Sequence, residues 1–338
     1  MCVSKTSGGS VIMLITVDCG TTNMRLRLYR SDADCNIISA PLDETKYKTG
    51  VRDAVRVHSD NVLKETLALG IREILERNSL TESDIEAVVC SGTLSSHVGI
   101  YHIHHVVMPT ALCDTAAHSE LVRMPEVCGI PILFIPGVKG TGDIMHTEVM
   151  SGEECELYGI ADRMGSDGAF TLLLPGSYNK IISVNGNGEI ELICSSISGE
   201  LTAAVSENTL LRRAVPSPVI RVIIPEMLKW GAEFASEWGL SPAMSKVWVL
   251  QRLGKDQDEA GNFLMGAILE GDMRLMSALP KDQPVYVGGS SPLRELFLEM
   301  LDIYGIKATG VDPEVARIAP NIGAVKVYRE YKKQHGLI

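Results

Sequence analysis

The chain has 338 residues, enough for about two domains, and its 45% hydrophobic and 22% charged residues are an ordinary balance for a globular protein. The formal net charge is −11. An acidic surface repels phosphate backbones, so this charge argues against nucleic acid as a partner.

The first half of the chain opens with two predicted strands joined by a turn. Residues 1–10 are predicted to be a disordered tail, and the apolar run Met13–Val17 predicts a buried strand. Arg25–Tyr29 alternates between polar and apolar residues, as a half-buried strand does. The other elements predicted here are a helix over 54–77, strands over 85–90 and 130–136, and a short helix over 151–160.

The second half repeats this opening. The composition turns polar at 162–168, which divides the chain into predicted domains 11–163 and 164–338. A strand, a Gly-Ser turn, a second strand, an Asn-Gly turn and a third strand follow, and Asn-Gly favours a type I′ hairpin turn. The architecture therefore predicts an internal repeat. Later predicted elements are a helix over 259–279, strands over 285–287 and 306–311, and a helix over 315–331.

Cysteine and histidine usage argues against a structural metal and favours the cytoplasm. None of the eight cysteines lies in a Cys-x-x-Cys pair, and their spacing matches no zinc pattern. His102, His104 and His105 have no clear carboxylate partner, so we do not interpret them as a metal site. The longest early apolar run, Val11–Val17, is too short to cross a bilayer. We therefore expect a cytoplasmic protein without a membrane segment.

The strongest local signal for chemistry is the turn after the first buried strand. Asp18 ends that strand, and the turn that follows exposes backbone N–H groups and two hydroxyls. Such a turn can hold phosphate oxygens, and the adjacent carboxylate can hold Mg²⁺ through water. An aspartate that only caps a hairpin turn is the alternative. The predicted nucleotide-binding residues here are Gly20, Thr21, Thr22 and Asn23, with Asp18 as the metal ligand.

Three weaker signals follow. Leu174–Lys180 ends a strand in a Gly-Ser turn; alone it is an ordinary hairpin, but with the first turn it could clamp a triphosphate. Glycines between the strand at 285–287 and the next helix allow a ligand close to the backbone, although such turns are common. Acids around Gly152 could supply the base that phosphoryl transfer needs, or simply form a solvated face. The residues concerned are Gly176, Ser177 and Lys180, then Gly288, Gly289 and Ser290, and the acids Asp143, Glu148, Glu153 and Glu154.

Asp18–Arg25 resembles the first phosphate motif of the actin/hexokinase/Hsp70-like ATPases. Its Asp-x-Gly-Ser/Thr-Thr-Asn-x-Arg form resembles that of the 2-dehydro-3-deoxygalactonokinase family in particular. Further segments resemble that family in the same order over nearly the whole chain. They are Gly50-Val51, Ser91–Ser96, Ile135–Gly137, Val149–Glu154, Leu174–Lys180 and Ser198–Leu201.

The resemblance implies two actin-like (ribonuclease H-like) ATPase domains, each an α/β fold with a mixed five-stranded sheet flanked by helices, and ATP with Mg²⁺ in the cleft between them. It implies phosphorylation of the terminal hydroxyl of 2-dehydro-3-deoxygalactonate, a sugar acid of galactonate catabolism. The turns at 18–23 and 175–180 would bind the phosphates, and 288–291 would approach the adenosine. The substrate-binding residues it implies are Arg25, Gly50, Val51, Gly92, Thr93, Ser95 and Tyr178.

Several positions depart from the family pattern near the expected substrate site. Ser151 replaces an Arg, Tyr178 replaces a His and Ile181 replaces a Trp. Because Arg binds carboxylates bidentately, its loss could loosen a carboxylate clamp. The cations that could compensate are Arg25, Lys139 and Lys180.

The catalytic base and the exact activity remain open at this stage. Glu148 stands where the family tends to carry Asp, which makes it a candidate base, with Asp143 and Glu153 as rivals. The alternatives to the main hypothesis are another sugar, sugar-acid or polyol kinase, a non-catalytic nucleotide-binding regulator, and a phosphatase-like hydrolase. The sequence does not give the oligomeric state, although we consider a homodimer.

Overall fold

The computed structural model describes residues 12–32, 40–142, 144, 147–165, 168–280 and 282–338. The predicted tail at 1–10 and the candidate base Asp143 lie outside these residues. The chain divides into two compact units. The first contains the described residues up to 165 together with Ile318–Ile338, and the second is Gly168–Arg317.

The first unit is built on a mixed sheet of six strands. In the order β3-β2-β1-β4-β7-β6, the strands are β1 (Ile12–Cys19), β2 (Met24–Ser31), β3 (Asp43–Tyr47), β4 (Ile85–Gly92), β7 (Ile132–Phe134) and β6 (Glu120–Val122). The strands β1, β2 and β3 pair antiparallel, β4 pairs parallel with β1, and β7 pairs parallel with β4. The expectation of five strands is corrected, because a sixth strand, β6, pairs antiparallel with β7 and covers its edge.

A second, three-stranded sheet in this unit has the order β5-β8-β9. Its strands are β5 (Val106–Val107), β8 (Val138–Lys139) and β9 (Val149–Met150). Each of these strands is only two residues long. Strands this short add little stability of their own, and the sheet is held by packing against the unit it belongs to.

Four helices are described in the first unit: α1 (Val51–Val57), α2 (Asn61–Arg77), α3 (Leu112–Ala117) and α4 (Glu153–Met164). The single helix predicted over 54–77 is in fact α1 followed by α2. His58 adopts a left-handed conformation with φ of +53°, which ends α1. The apolar face of α2 then buries Leu63, Leu67 and Ile71 in the core beside β1 and β2.

The second unit repeats the strand order of the first. Three antiparallel strands are followed by two parallel ones, which agrees with the internal repeat predicted from the sequence. In the order β12-β11-β10-β13-β14, the strands are β12 (Ile190–Ser196), β11 (Asn179–Val184), β10 (Phe170–Leu174), β13 (Val285–Val287) and β14 (Ala308–Gly310). The corresponding turns of the two units therefore lie at corresponding sheet edges.

Helices cover the second sheet and form most of the core of this unit. The long helix predicted over 259–279 is α8, which is buried along most of its length. Its start is fixed by a capping box in which Asp256 and Glu259 each accept the other's backbone N–H. The helices of this unit are α5 (Ser198–Asn208), α6 (Pro225–Trp238), α7 (Leu240–Arg252), α8 (Gln257–Ser277) and α9 (Leu293–Ile303). The last helix, α10 (Pro313–Gln334), only begins in this unit.

Most of α10, from Ile318 onward, belongs to the first unit, whereas the sequence division assigned 164–338 to the second domain. Asn321 is buried there and donates to Thr16 Oγ1 at 2.8 Å, and its Oδ1 accepts from Arg27. Gly159 of α4 packs against the backbone of Ala319, which a Cβ on that glycine would overlap. These contacts join residues far apart in sequence, so local patterns give no sign of them.

Candidate active site

Asp18 lies at the end of β1, opposite Arg25 on β2 and Ser91 on β4. Burial raises the pKa of Asp18, against the opposing charges of Arg25 and Arg27, and the carboxylate of Glu153 raises it further. A cation beside Asp18 would therefore stabilise its charged form. This is the electrostatic setting expected of a residue that holds a metal ion.

The turn after Asp18 is closed by one backbone hydrogen bond, from Gly20 N to Asn23 O at 2.9 Å. Thr21 and Thr22 are exposed at its tip. The side chain of Asn23 donates to Thr22 Oγ1 at 2.9 Å, which fixes the position of that hydroxyl. The predicted nucleotide-binding residues are thus brought together in one accessible turn.

The beginning of α1 holds this turn from behind. Val51 N donates to Gly20 O at 3.3 Å, and Arg52 N donates to Thr21 O at 3.0 Å. A Cβ on Gly50 would lie 2.4–2.5 Å from backbone atoms of Thr21 and its neighbour. Gly50 and Val51 therefore position the turn, and their substrate contact stays a prediction.

The end of β4 supports the same turn from the other side. Gly92 has φ of +87°, and a Cβ there would lie 2.2 Å from Cys19 O. Thr93 Oγ1 donates to Cys19 O at 2.9 Å. The Ser95 hydroxyl is buried and donates to Ile135 O at 2.6 Å. These contacts give the three predicted substrate residues a structural role and leave their substrate contacts as predictions.

The acidic candidates occupy different places. Glu153 begins α4, accepts from Ser151 N at 2.8 Å and lies close enough to Asp18 to affect its pKa. Glu148 is half-buried just before β9. Glu156, which sequence analysis missed, has a pKa raised to about 8 by burial and by the charges of Asp18 and Glu153. Its spacing of three residues from Glu153 on a helix was the available signal.

Glu154 is completely buried next to this acidic group. Both of its carboxylate oxygens accept from Gly152 N, at 2.9 and 2.8 Å. Burial, with the charge of Glu153, raises the pKa of Glu154 to about 8. The folded protein therefore keeps this carboxyl protonated at pH values where the unfolded chain has already lost the proton.

This difference predicts a pH effect on stability. As pH rises from about 5 to about 8, the unfolded state releases the proton first, so the contribution of Glu154 to the free energy of unfolding falls. Glutamine does not titrate, so the free energy of unfolding of Glu154→Gln should not fall in this way. The stability of the variant relative to the wild type should therefore increase by on the order of 2 kcal/mol across that pH range. Urea unfolding at several pH values measures the difference, with Glu237→Gln at an exposed site as control. A difference that does not change with pH would contradict the prediction.

The turn of the second unit resembles the first in how it is held. Gly176 N donates to Asn179 Oδ1 at 3.0 Å, and Glu200 N at the start of α5 donates to Ser177 O at 3.0 Å. Tyr178 at the tip is exposed. Lys180 is buried and donates to a serine hydroxyl on β12 at 2.7 Å, so its ammonium is already engaged within this unit.

A buried carboxylate behind this turn was not predicted. Asp272 on α8 accepts from Asn179 Nδ2 at 3.0 Å and from the hydroxyls of Ser196 and Ser198 at 2.5 Å each. It therefore joins the first residue of β11, the last of β12 and the first of α5. Because Asn179 in turn accepts from Gly176 N, Asp272 positions the turn indirectly.

We expect Asp272→Asn to loosen this turn. An amide has one acceptor oxygen and would place an NH₂ group against existing donors, so the unfolding free energy should fall by about 1–3 kcal/mol. The KM for ATP should rise about tenfold with a smaller change in kcat. Steady-state kinetics and thermal unfolding measure both, with the exposed Asp302→Asn as control. Lost stability with an unchanged KM would show that Asp272 does not act on the turn.

The Gly-Gly segment after β13 lies beside the second turn. Gly288 N donates to Leu173 O at 2.9 Å. Gly289 has φ of +78°, and a Cβ on it would lie 3.4 Å from Pro175 Cδ. Ser290 is exposed. The structure thus brings together the predicted adenosine segment and the second turn, which lie more than a hundred residues apart in sequence.

A cavity of about 580 Å³ extends from the start of α5 to the start of α9, within the size range of small-molecule sites. Sequence analysis did not identify its walls. Residues lining it include Gly199, Thr202, Arg212, Val219, Met265 and Leu293. A larger cavity of about 700 Å³ lies at the opposite edge of the sheet, where β13 and β14 begin, and contains none of the predicted site residues.

The donors around Asp18 fit Mg²⁺ better than a softer metal. Asp18 supplies a carboxylate and the turn supplies hydroxyl oxygens, and Mg²⁺ commonly binds one or two carboxylates together with substrate phosphates. Within the described part of the chain, no group of three or more His, Cys, Asp or Glu residues could hold a metal on its own.

Comparison with known proteins identifies the family. The profile of the 2-keto-3-deoxy-galactonokinase family matches residues 18–320. A protein of Rhizobium meliloti (strain 1021), named a probable 2-dehydro-3-deoxygalactonokinase, is 25% identical over 199 residues. The matched segment covers 59% of this chain and 58% of that protein, so the chain spans less than two thirds of this relative.

Solved structures support the fold. A Sinorhizobium meliloti protein provisionally named a 2-dehydro-3-deoxygalactonokinase has a TM-score of 0.74 at 22% identity, with 94% of this chain and 98% of that chain covered. Component A of the (R)-2-hydroxyglutaryl-CoA dehydratase of Acidaminococcus fermentans has a TM-score of 0.50 at 12% identity, with 96% and 99% covered. The predicted actin-like α/β fold is confirmed.

None of the helices in the described ranges has the length and apolar character to cross a membrane. Because the family profile covers most of its length, this chain belongs to the 2-keto-3-deoxy-galactonokinase family.

Proposed function

We propose that the protein transfers the γ-phosphoryl group of ATP to the terminal hydroxyl of 2-dehydro-3-deoxygalactonate. The observation that supports this most directly is the exposed turn after Asp18, held by Gly50 and Gly92 through close backbone contacts. Such a turn presents main-chain donors to phosphate oxygens. Membership of the 2-keto-3-deoxy-galactonokinase family supports the choice of acceptor.

Each unit contributes one phosphate-binding turn in this proposal. In the first unit the backbone and hydroxyls of Thr21 and Thr22 bind phosphate oxygens, and Asp18 holds Mg²⁺. When bound, Mg²⁺ neutralises charge on the phosphate oxygens during transfer. In the second unit Gly176 and Ser177 bind phosphate, since their turn is accessible and rigidly held.

The adenosine is proposed to occupy the 580 Å³ cavity, whose wall includes Pro292 and Leu293 directly after the 288–291 segment. The cavity has mostly apolar walls with a few polar side chains, as nucleoside sites do. Arg212 is on its wall and could contact a ribose hydroxyl or a phosphate. This placement accounts for Gly289, because a side chain at that position would reduce the space between the segment and Pro175 of the second turn.

Among the candidate bases, Glu153 is best supported because its charge reaches Asp18. A base must take the proton of the acceptor hydroxyl and orient it towards the phosphorus. Glu148 and Asp143 remain rivals. Assays of Glu153→Gln, Glu148→Gln and Asp143→Asn distinguish them, and full activity in all three would exclude a carboxylate base from this group.

We place the reaction in the cytoplasm. The six cysteines in the described part of the chain are free thiols, and three of them, Cys19, Cys90 and Cys155, are buried near the end of β1 and the start of α4. Reduced thiols are typical of the cytosol.

The deciding experiment is ADP release with Mg²⁺ and ATP against a panel of sugar acids. The panel contains 2-dehydro-3-deoxygalactonate, its gluconate epimer, and neutral sugars and polyols. We expect turnover with the galactonate form. Turnover with a neutral sugar alone would support a different sugar kinase, whereas ATP binding without turnover would support a regulator.

A further inference from the structure

One face of the small β5-β8-β9 sheet is open to solvent. In its register Val107 lies opposite Lys139, and Lys139 lies opposite Val149. Residues opposite each other in a sheet point to the same side. Val107 and Val149 are 46% and 50% exposed, whereas the residues that point to the other side are buried. Those buried residues are Val106, Val138 and Met150.

His105 and Ser151 extend this open face. His105 precedes Val107 by two residues and Ser151 follows Val149 by two, so both have the side-chain direction of the open face. Their side chains meet, with His105 Nε2 at 3.1 Å from Ser151 Oγ. Both pack on Gly137, where a Cβ would lie 2.7 Å from the imidazole and 2.8 Å from the hydroxyl. We call His105, Val107, Lys139, Val149 and Ser151 the acceptor face.

Lys139 is the cation with room for a ligand. Of the cations considered as carboxylate partners, Arg25 has its Nε 3.4 Å from Glu44 Oε1. Lys180 is buried and donates to the hydroxyl of Ser195. Lys139 is only partly buried, and its ammonium makes no hydrogen bond or ion pair with any residue in the described ranges. Burial of His105 and, to a smaller extent, the charge of Lys139 lower the pKa of the His105 imidazole. The imidazole is therefore available as a neutral hydrogen-bonding group.

The acceptor face adjoins the end of β1. Ser151 is followed by Gly152, where a Cβ would lie 3.0 Å from the Cα of Gly92. Gly92 in turn packs on the carbonyl of Cys19, the residue after Asp18. The Ser151 end of the acceptor face therefore lies next to the residues that support the turn after Asp18.

We propose that the acceptor face binds the 2-keto acid end of the substrate, an inference that rests on the proposed function. Lys139 pairs with the carboxylate, and the His105–Ser151 pair hydrogen-bonds its oxygens or the keto oxygen. Val107 and Val149 cover the methylene at carbon 3, which carries no hydroxyl. The same face explains how the site can recognise an acid without an arginine at 151.

Pyruvate, the smallest 2-keto acid, tests this assignment. It should inhibit competitively against the sugar acid and not against ATP. Lys139→Met keeps the length of the side chain and removes its charge, so it should raise both the pyruvate inhibition constant and the KM for the sugar acid by about tenfold or more, while the KM for ATP stays the same. Lys307→Met, at an exposed site in the second unit, is the matched control.

Direct calorimetry of pyruvate and sugar-acid binding separates this inference from the proposed function. Unchanged pyruvate and sugar-acid affinities in Lys139→Met, with a wild-type melting temperature, would overturn the inference. Failure of the wild-type protein to bind either acid would also overturn it. Binding that depends on Lys139 without phosphoryl transfer would uphold the acceptor face and overturn the proposed kinase activity alone.

Discussion

Replacing Asp18 by Asn is expected to lower kcat for ADP release by about 10²–10⁴-fold. The substitution keeps the shape of the side chain and removes the negative charge at the end of β1. In the proposed mechanism, the site thereby loses its carboxylate ligand for Mg²⁺ and the alignment of the phosphates that the ion would support. Steady-state kinetics with saturating sugar acid measure the loss.

The variant should remain folded, which makes the kinetic result interpretable. Burial raises the pKa of Asp18, with Arg25 and Arg27 opposing, so the fold on balance disfavours the charged form. Removing the charge should therefore leave the melting temperature unchanged or slightly higher. Asp302→Asn at an exposed site serves as control. Retention of more than a tenth of wild-type kcat by Asp18→Asn would remove Asp18 from the mechanism.

The parts of the site that sequence analysis predicted are those encoded locally. A buried strand, a carboxylate at its end and a Gly-Thr-Thr-Asn turn occupy about ten consecutive residues, and the pattern alone indicates both the hairpin and its chemistry. The repeat was also visible, because Asn185–Gly188 marks a second hairpin in the corresponding place. The expectation that the two turns act together came only from the resemblance to a known family.

The parts that sequence analysis missed depend on contacts between distant segments. Asp272 is 93 residues from Asn179, and nothing in its helical surroundings distinguishes it from a solvated acid. Asn321 joins the first unit through Thr16, 305 residues away, so the division at 163 could not anticipate it. The break between α1 and α2 depends on the left-handed backbone of His58, a residue type without a strong turn preference.

The glycines of the resembling segments also acquire a physical explanation only in the structure. Gly50 and Gly199 were noted as parts of short motifs, yet each begins a helix that packs on the turn of its own unit. In both units the helix donates backbone N–H groups to carbonyl oxygens of the turn. The turn carbonyls are thereby engaged behind the turn. An anion would then meet the turn N–H groups other than those of Gly20 and Gly176, which donate within their own turns.

This arrangement predicts a large effect for Gly199→Ala. The added Cβ would lie 2.0 Å from Gly176 O, and backbone atoms cannot move aside as a flexible side chain can. Either the start of α5 or the turn must shift, so the unfolding free energy should fall by about 1–3 kcal/mol. The KM for ATP should rise at least about tenfold, because the displaced atoms belong to the turn that we propose binds phosphate. Titration with ATP and thermal unfolding measure the two effects separately.

Gly271→Ala is the matched control, since it changes a helical glycine of the same unit. Gly271 is exposed on α8, and a Cβ there would meet no atom within 4 Å. Alanine has the higher helix propensity, so this variant should be more stable by about 0.5–1 kcal/mol with unchanged kinetics. If Gly199→Ala lost stability but kept the wild-type KM for ATP, the close approach would serve folding alone. A raised KM that persists at temperatures where the variant is fully folded would instead assign the close approach to nucleotide binding.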